Sequence, residues 1–178
     1  MVLPDLAQHL GVKTGHSGTW MIDLSRKLVD QEGCRLAIAC IYGDKLQRYE
    51  INGIIYYTLP GTPKDMYFYA KRFEKIWPLI YDELKPDLVH LHGTEYSHGL
   101  SFLRSCPEVP ALLTIQGIMD TISDAAFDGI TLTQAIFNNT FREWTHFSGM
   151  YMNNVLRKRN LKYEKEIILY PITISTRT

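Results

Sequence analysis

Two stretches of identical grammar constrain this chain more than anything else in it. Pro86-Asp-Leu-Val-His-Leu-His-Gly93 and Pro110-Ala-Leu-Leu-Thr-Ile-Gln-Gly117 are each a short apolar run opened by a proline and closed by a glycine. Runs of that length, apolar on consecutive residues, suit parallel strands covered on both faces. Each sets a polar side chain, His92 or Gln116, immediately before its terminal glycine. In open α/β sheets ligands bind outside the carboxyl ends of the strands, so the two side chains are expected to converge on one crevice. His90 and His92, two apart, point to the same face of a strand. A histidine inside such a strand is ordinarily a hydrogen-bonded core residue, which is the reading for His90; His92, beside the turn, is the candidate for chemistry.

The remaining periodicities alternate in the same way. Val2-Leu3 is an apolar stub stopped by Pro4, with a polar loop expected from there to His16. Trp20, Met21, Leu24, Leu28 and Val29 predict a helix from Thr19 to Gln31, ended by Gly33. Leu36 to Tyr42 reads as an interior parallel strand. Asn52-Gly53, set between Arg48–Ile51 and Ile54–Leu59, is a two-residue hairpin signal. After Gly61-Thr62-Pro63 a helix is expected to reach Leu84, kinked at Pro78. Tyr96–Ser105 suits a short helix, 118–131 a loop whose Asp120, Asp124 and Asp128 lack calcium-loop spacing, and Leu132 to Tyr170 helix broken near Ser148-Gly149. A last strand, Ile172–Ile174, precedes Arg177. Strands alternating with helices predict an α/β fold, a Rossmann-like doubly wound, mostly parallel sheet with helices on both faces.

Composition narrows the function classes. The chain has 178 residues, 46% of them hydrophobic, enough for one full core. Nineteen basic and nineteen acidic residues cancel, so no global field draws it to nucleic acid. Cys34, Cys40 and Cys106 have no paired metal-ligand spacing and read as reduced thiols, and no metal site is expected from the histidines. No run approaches a membrane span, so the expected location is cytoplasmic. Phe141, Trp144, Phe147, Tyr151 and Met152, followed by Arg157-Lys158-Arg159, Lys162 and Lys165, would suit peripheral contact with the inner face of an anionic membrane. The same pattern suits a helix packed on a sheet with a solvated basic face, and Glu164 and Glu166 interleave with the lysines.

Taken together, Gly15-x-x-Gly18-Thr-Trp opening a helix, Pro86–Gly93, Pro110-x-x-x-Thr-Ile-Gln-Gly117 and Ile174-Ser-Thr-Arg-Thr178 resemble the amino-terminal half of family 4 retaining glycosyltransferases. The resemblance implies GT-B architecture, with 1–178 as the acceptor-side Rossmann-like domain and a carboxyl-terminal donor-binding domain absent. It implies transfer of a sugar from a nucleotide-sugar to a polysaccharide or glycolipid acceptor, with retention and without a metal or other cofactor. The isolated fragment would be inactive. Gly15 and Gly18 would approach the donor phosphates, Arg177 matches the family's arginine, and His92 would floor the cleft with Glu95 beside it. Gln116 stands where many relatives carry histidine, and an amide can donate a hydrogen bond but cannot act as a base. A reduced first strand would leave exposed strand edges and favour a homo-oligomer. The alternative class is a non-catalytic α/β ligand-binding or regulatory domain.

Overall fold

The computed structural model describes residues 2–13, 19–62, 65, 68–94, 96–115, 117–145, 149–170 and 173–176. They form a mixed α/β structure with parallel strand pairs, divided into two compact units, Met1–Asp65 and Met66–Thr178.

In the first unit, helix α1 (Pro4–Leu10) occupies the stretch expected to be a polar loop. Pro4 does not stop the chain there, because a proline in the first turn lacks only an N–H that a helix would leave unused. Leu6 and Ala7 are buried, and Gly11, at φ 67°, closes the helix through the left-handed conformation that glycine adopts without strain. Helix α2 (Thr19–Val29) follows, then β1 (Leu36–Ile41), β2 (Gln47–Ile51) and β3 (Ile54–Leu59). Asn52 and Gly53, at φ 51° and 77°, make the tight turn that joins β2 antiparallel to β3, as their dipeptide predicts. The order is β1-β3-β2, with β1 parallel to β3. β1 is therefore an outer strand of the described sheet rather than an interior one. The interior place falls to β3, buried along its whole length from Ile54 to Leu59. Leu3, Leu6, Cys40, Ile54 and Tyr56 make the core, flanked by Met21, Ile22 and Val29 from α2.

In the second unit, the continuous helix expected up to Leu84 is interrupted. Residues 68–70 are not helical, Lys71–Lys75 form a 3₁₀ turn, and α3 (Trp77–Leu84) begins afresh. Pro78 lies in the first turn of α3, so it starts a helix instead of kinking one. Then come β4 (Val89–His92), α4 (His98–Ser105) and β5 (Ala111–Ile115). The stretch expected to loop after β5 is α5 (Met119–Asp124) and a 3₁₀ turn, Ala125–Phe127. Its Asp120 and Asp124, four apart, simply share a helix face. Helix α6 (Leu132–Phe137) is opened by a capping box, Thr131 with Gln134; α7 (Phe141–Thr145) and α8 (Met150–Leu169) complete the helices, α8 starting directly after Gly149.

β6 (Thr173–Thr176) returns to the sheet, whose order is β4-β5-β6, all parallel. β5 is the central strand, with Ala111, Leu113 and Thr114 buried. β4, expected to be covered on both faces, is an outer strand, and all four of its residues are only half-buried. Apolar content alone cannot distinguish the two, because burial is conferred by neighbours on both sides. Helix α4 lies close against β4: a Cβ built on Gly99 would meet Leu91 at 3.9 Å. Trp77 on α3 donates its indole N–H to Ser101 Oγ at 2.9 Å and stands edge-on to Phe102, so α3 and α4 share one core.

Candidate functional site at the carboxyl ends of β4 and β5

Parallel pairing brings the ends of β4 and β5 to one edge. His92 is in register with Thr114, and the Gly93 amide, at φ 84°, donates to the Thr114 carbonyl at 2.8 Å as the chain leaves the sheet. His90 and His92 share a face as their spacing requires, with ring centroids 3.9 Å apart and planes tilted by 41°. His90 Nε2 and Thr114 Oγ1 share a hydrogen bond of 2.6 Å. That contact, with burial holding its imidazole below the usual histidine range, makes His90 a neutral structural group across the β4–β5 seam. Of the two, His92 stands nearer the carboxyl edge of the sheet, its ring against that of His90.

A Cβ built on Gly117 would stand 2.5 Å from Ile122 Cδ1, the free end of a side chain that is 36% exposed. The other residues expected at the site, Gly15, Gly18, Glu95, Gln116 and Arg177, lie outside the described residues. Among the described residues, no group of three or more His, Cys, Asp or Glu could hold a metal ion.

The residue that sequence reading missed is Glu164. It lies on α8 but is turned inward and is only 3% exposed. Its Oε1 accepts from Thr94 Oγ1 at 2.7 Å and from the Met119 backbone N–H at 3.2 Å, and Oε2 accepts from the same N–H at 3.2 Å. A carboxylate withdrawn from water is costly unless such donors meet it. Thr94, itself buried, follows His92 by two residues; Met119, the first residue of α5, follows Gln116 by three. A signal was present: Leu156, Asn160, Glu164 and Ile167 recur at helical spacing, and all four are buried.

His98 opens α4, and its Nδ1 is buried without a hydrogen-bond partner. Burial pushes this imidazole down to about 4, and Tyr96 stacks beside it with centroids 5.9 Å apart.

The basic run of α8 is held by neighbours. Lys158 approaches Asp124 at 3.9 Å and Lys165 approaches Asp120 at 4.0 Å, while Arg159 lies over the Phe68 ring. Glu166 receives a two-pronged bond from Arg104 at 2.7 and 2.6 Å. Phe137 and Phe141 are 81% and 85% exposed, whereas the side chain of Trp144 and all of Phe147 lie outside the described residues.

The chain matches no protein-family model and no curated protein.

Proposed function

We propose that the chain is the acceptor-side domain of a retaining glycosyltransferase of family 4, with a Rossmann-like doubly wound fold, acting on a nucleotide-sugar donor and a saccharide or glycolipid acceptor. One observation carries this reading: β4 and β5 run parallel side by side and end at the same edge, where β4 leaves the sheet through Gly93 at φ 84°. That is where α/β sheets receive ligands, and it is where His92 stands. The motif order described above supplies the class of chemistry. In this reading the His92 imidazole hydrogen-bonds and orients sugar hydroxyls, and the Gln116 amide adds a hydrogen bond without taking a proton. Gly15 and Gly18 contribute room and backbone amides toward the donor phosphates, Glu95 a carboxylate for hydroxyls, and Arg177 a positive charge. The principal donor contacts of such a transfer would come from the second domain that the resemblance implies.

Calorimetric titration of the chain with a panel of nucleotide-sugars and oligosaccharides tests the reading. Binding of at least one saccharide-bearing ligand is expected, weakened about tenfold in His92→Ala, the loss of roughly one buried hydrogen bond. Binding by none of the panel, or binding indifferent to His92→Ala, would argue for a domain of another kind.

A further inference from the structure

We infer that Glu164 is the positioning residue of the carboxyl edge of β4 and β5, a single carboxylate that ties Thr94, just after β4, to Met119 at the start of α5. The inference rests on reading the crevice as the ligand site, but its physical content is independent of which ligand enters. The two segments share no sequence proximity with each other or with Glu164, which lies 70 residues from Thr94 and 45 from Met119. Each is nevertheless bonded to the same carboxylate, Thr94 at Oε1 and Met119 at both oxygens. Thr94 Oγ1 anchors the chain two residues after His92, and the Met119 N–H anchors the first residue of α5. Burial gives these bonds their authority, since at 3% exposure the carboxylate has little water to turn to, and Thr94 at 1% has as little. Moving one segment therefore strands a charge or a hydroxyl in the interior. The consequence is a shared geometry: the end of β4 that carries His92 and the start of α5 cannot change separation without breaking one of these contacts.

Helix α8 supplies the lever. Its inward face carries Leu156 and Ile167 as apolar anchors around Asn160 and Glu164, and at its outer side Arg104 of α4 grips Glu166 through two bonds. Glu164 is thus held in place by packing on one side and by a forked ion pair on the other, the arrangement a positioning residue requires.

The test uses the ligand-free chain, with NMR of the His92 imidazole and hydrogen exchange at the Met119 amide as site-specific readouts. Thr94→Val removes only the first bond and preserves side-chain shape. It is expected to shift the His92 ring resonances while leaving Met119 exchange unchanged within about twofold. Glu164→Ala removes both, shifting His92 and speeding Met119 exchange about tenfold, as loss of a buried hydrogen bond does. Glu164→Gln keeps an acceptor for Met119 and an amide that the Thr94 hydroxyl can meet as acceptor, so it is expected to restore most of the protection. His9 serves as an internal reference. Unchanged His92 resonances in Thr94→Val would overturn the inference, and so would a uniform rise in exchange across the chain in Glu164→Ala with no excess at Met119. Should Glu164→Ala not fold, the valine and glutamine variants still decide it. Because no ligand is present, these results are separate from the saccharide titration, which can fail alone.

Discussion

Replacing Gly53 by alanine isolates the part of the fold that the Asn-Gly dipeptide controls. Gly53 holds φ at 77°, and a Cβ built there lies 3.3 Å from Val29 Cγ1. An L-residue in the left-handed region costs roughly 1–2 kcal/mol, and the crowding against a branched valine side chain on α2 adds a few tenths. The expected destabilisation is therefore about 1.5–2 kcal/mol. With a urea dependence of about 2 kcal/mol per molar, the unfolding midpoint should fall by a little under 1 M. Exchange at the β3 amides, which form both the antiparallel and the parallel ladders of the first unit, should accelerate about tenfold or more if they open with the turn. Two companions separate the contributions. Gly53→Asn introduces the same Cβ but a residue that tolerates φ > 0, so it should be milder than alanine. Val29→Ala in the alanine background should recover only the contact portion. A Gly53→Ala chain as stable as the parent, or an asparagine variant less stable than alanine, would refute the conformational argument.

Acid should weaken the second unit through His98. The folded imidazole resists protonation down to about 4 while the unfolded chain takes up its proton near 6.5, so the contribution is complete above that pH and is lost as pH falls toward 4. Urea unfolding at pH 7 and pH 5 should differ, and the difference should shrink in His98→Gln; an undiminished difference would assign the effect elsewhere. Glu166 acts at lower pH, because the Arg104 fork holds its carboxyl below the usual range: the stability it contributes is present above the unfolded value and disappears as pH falls through the folded one. Arg104→Lys gives up the fork and the stacking on Tyr69 and should cost about 1 kcal/mol or less, given that the pair is over one-third exposed, measured by chemical denaturation. Gly117→Ala should cost no more than about 1 kcal/mol, since Ile122 Cδ1 is the free end of a 36% exposed side chain and can turn aside, and Ile122→Ala should remove that cost in the double variant; a larger cost that Ile122→Ala leaves in place would place the strain in the backbone at Gly117.

Several features were legible without any structure because their causes are local. The strand segments β1, β3, β4 and β5 follow from short apolar runs bounded by glycine and proline, and the hairpin follows from the backbone freedom of Asn52 and Gly53. The shared face of His90 and His92 follows from the pleat alone. Proline was ambiguous in sequence, since the ring that breaks a helix interior also begins a helix well. Position within the element decides, and at Pro4 and Pro78 it makes them starters.

What the tertiary structure decided is burial. Ile38 on β1 and Leu91 on β4 look as apolar as anything on β3 and β5, yet they are only half-buried, because a strand is enclosed only when partners lie on both sides of it. The same cause governed charge. Along α8 the sequence places Glu164 between Lys162 and Lys165 and Glu166 just beyond, an arrangement that reads as one solvated surface. Helical rotation separates the two acids, sending Glu166 outward to Arg104 and Glu164 inward to Thr94 and Met119. Which of two acids two residues apart becomes the buried anchor depends on donors that arrive from 45 and 70 residues away, and only the packed chain brings them there.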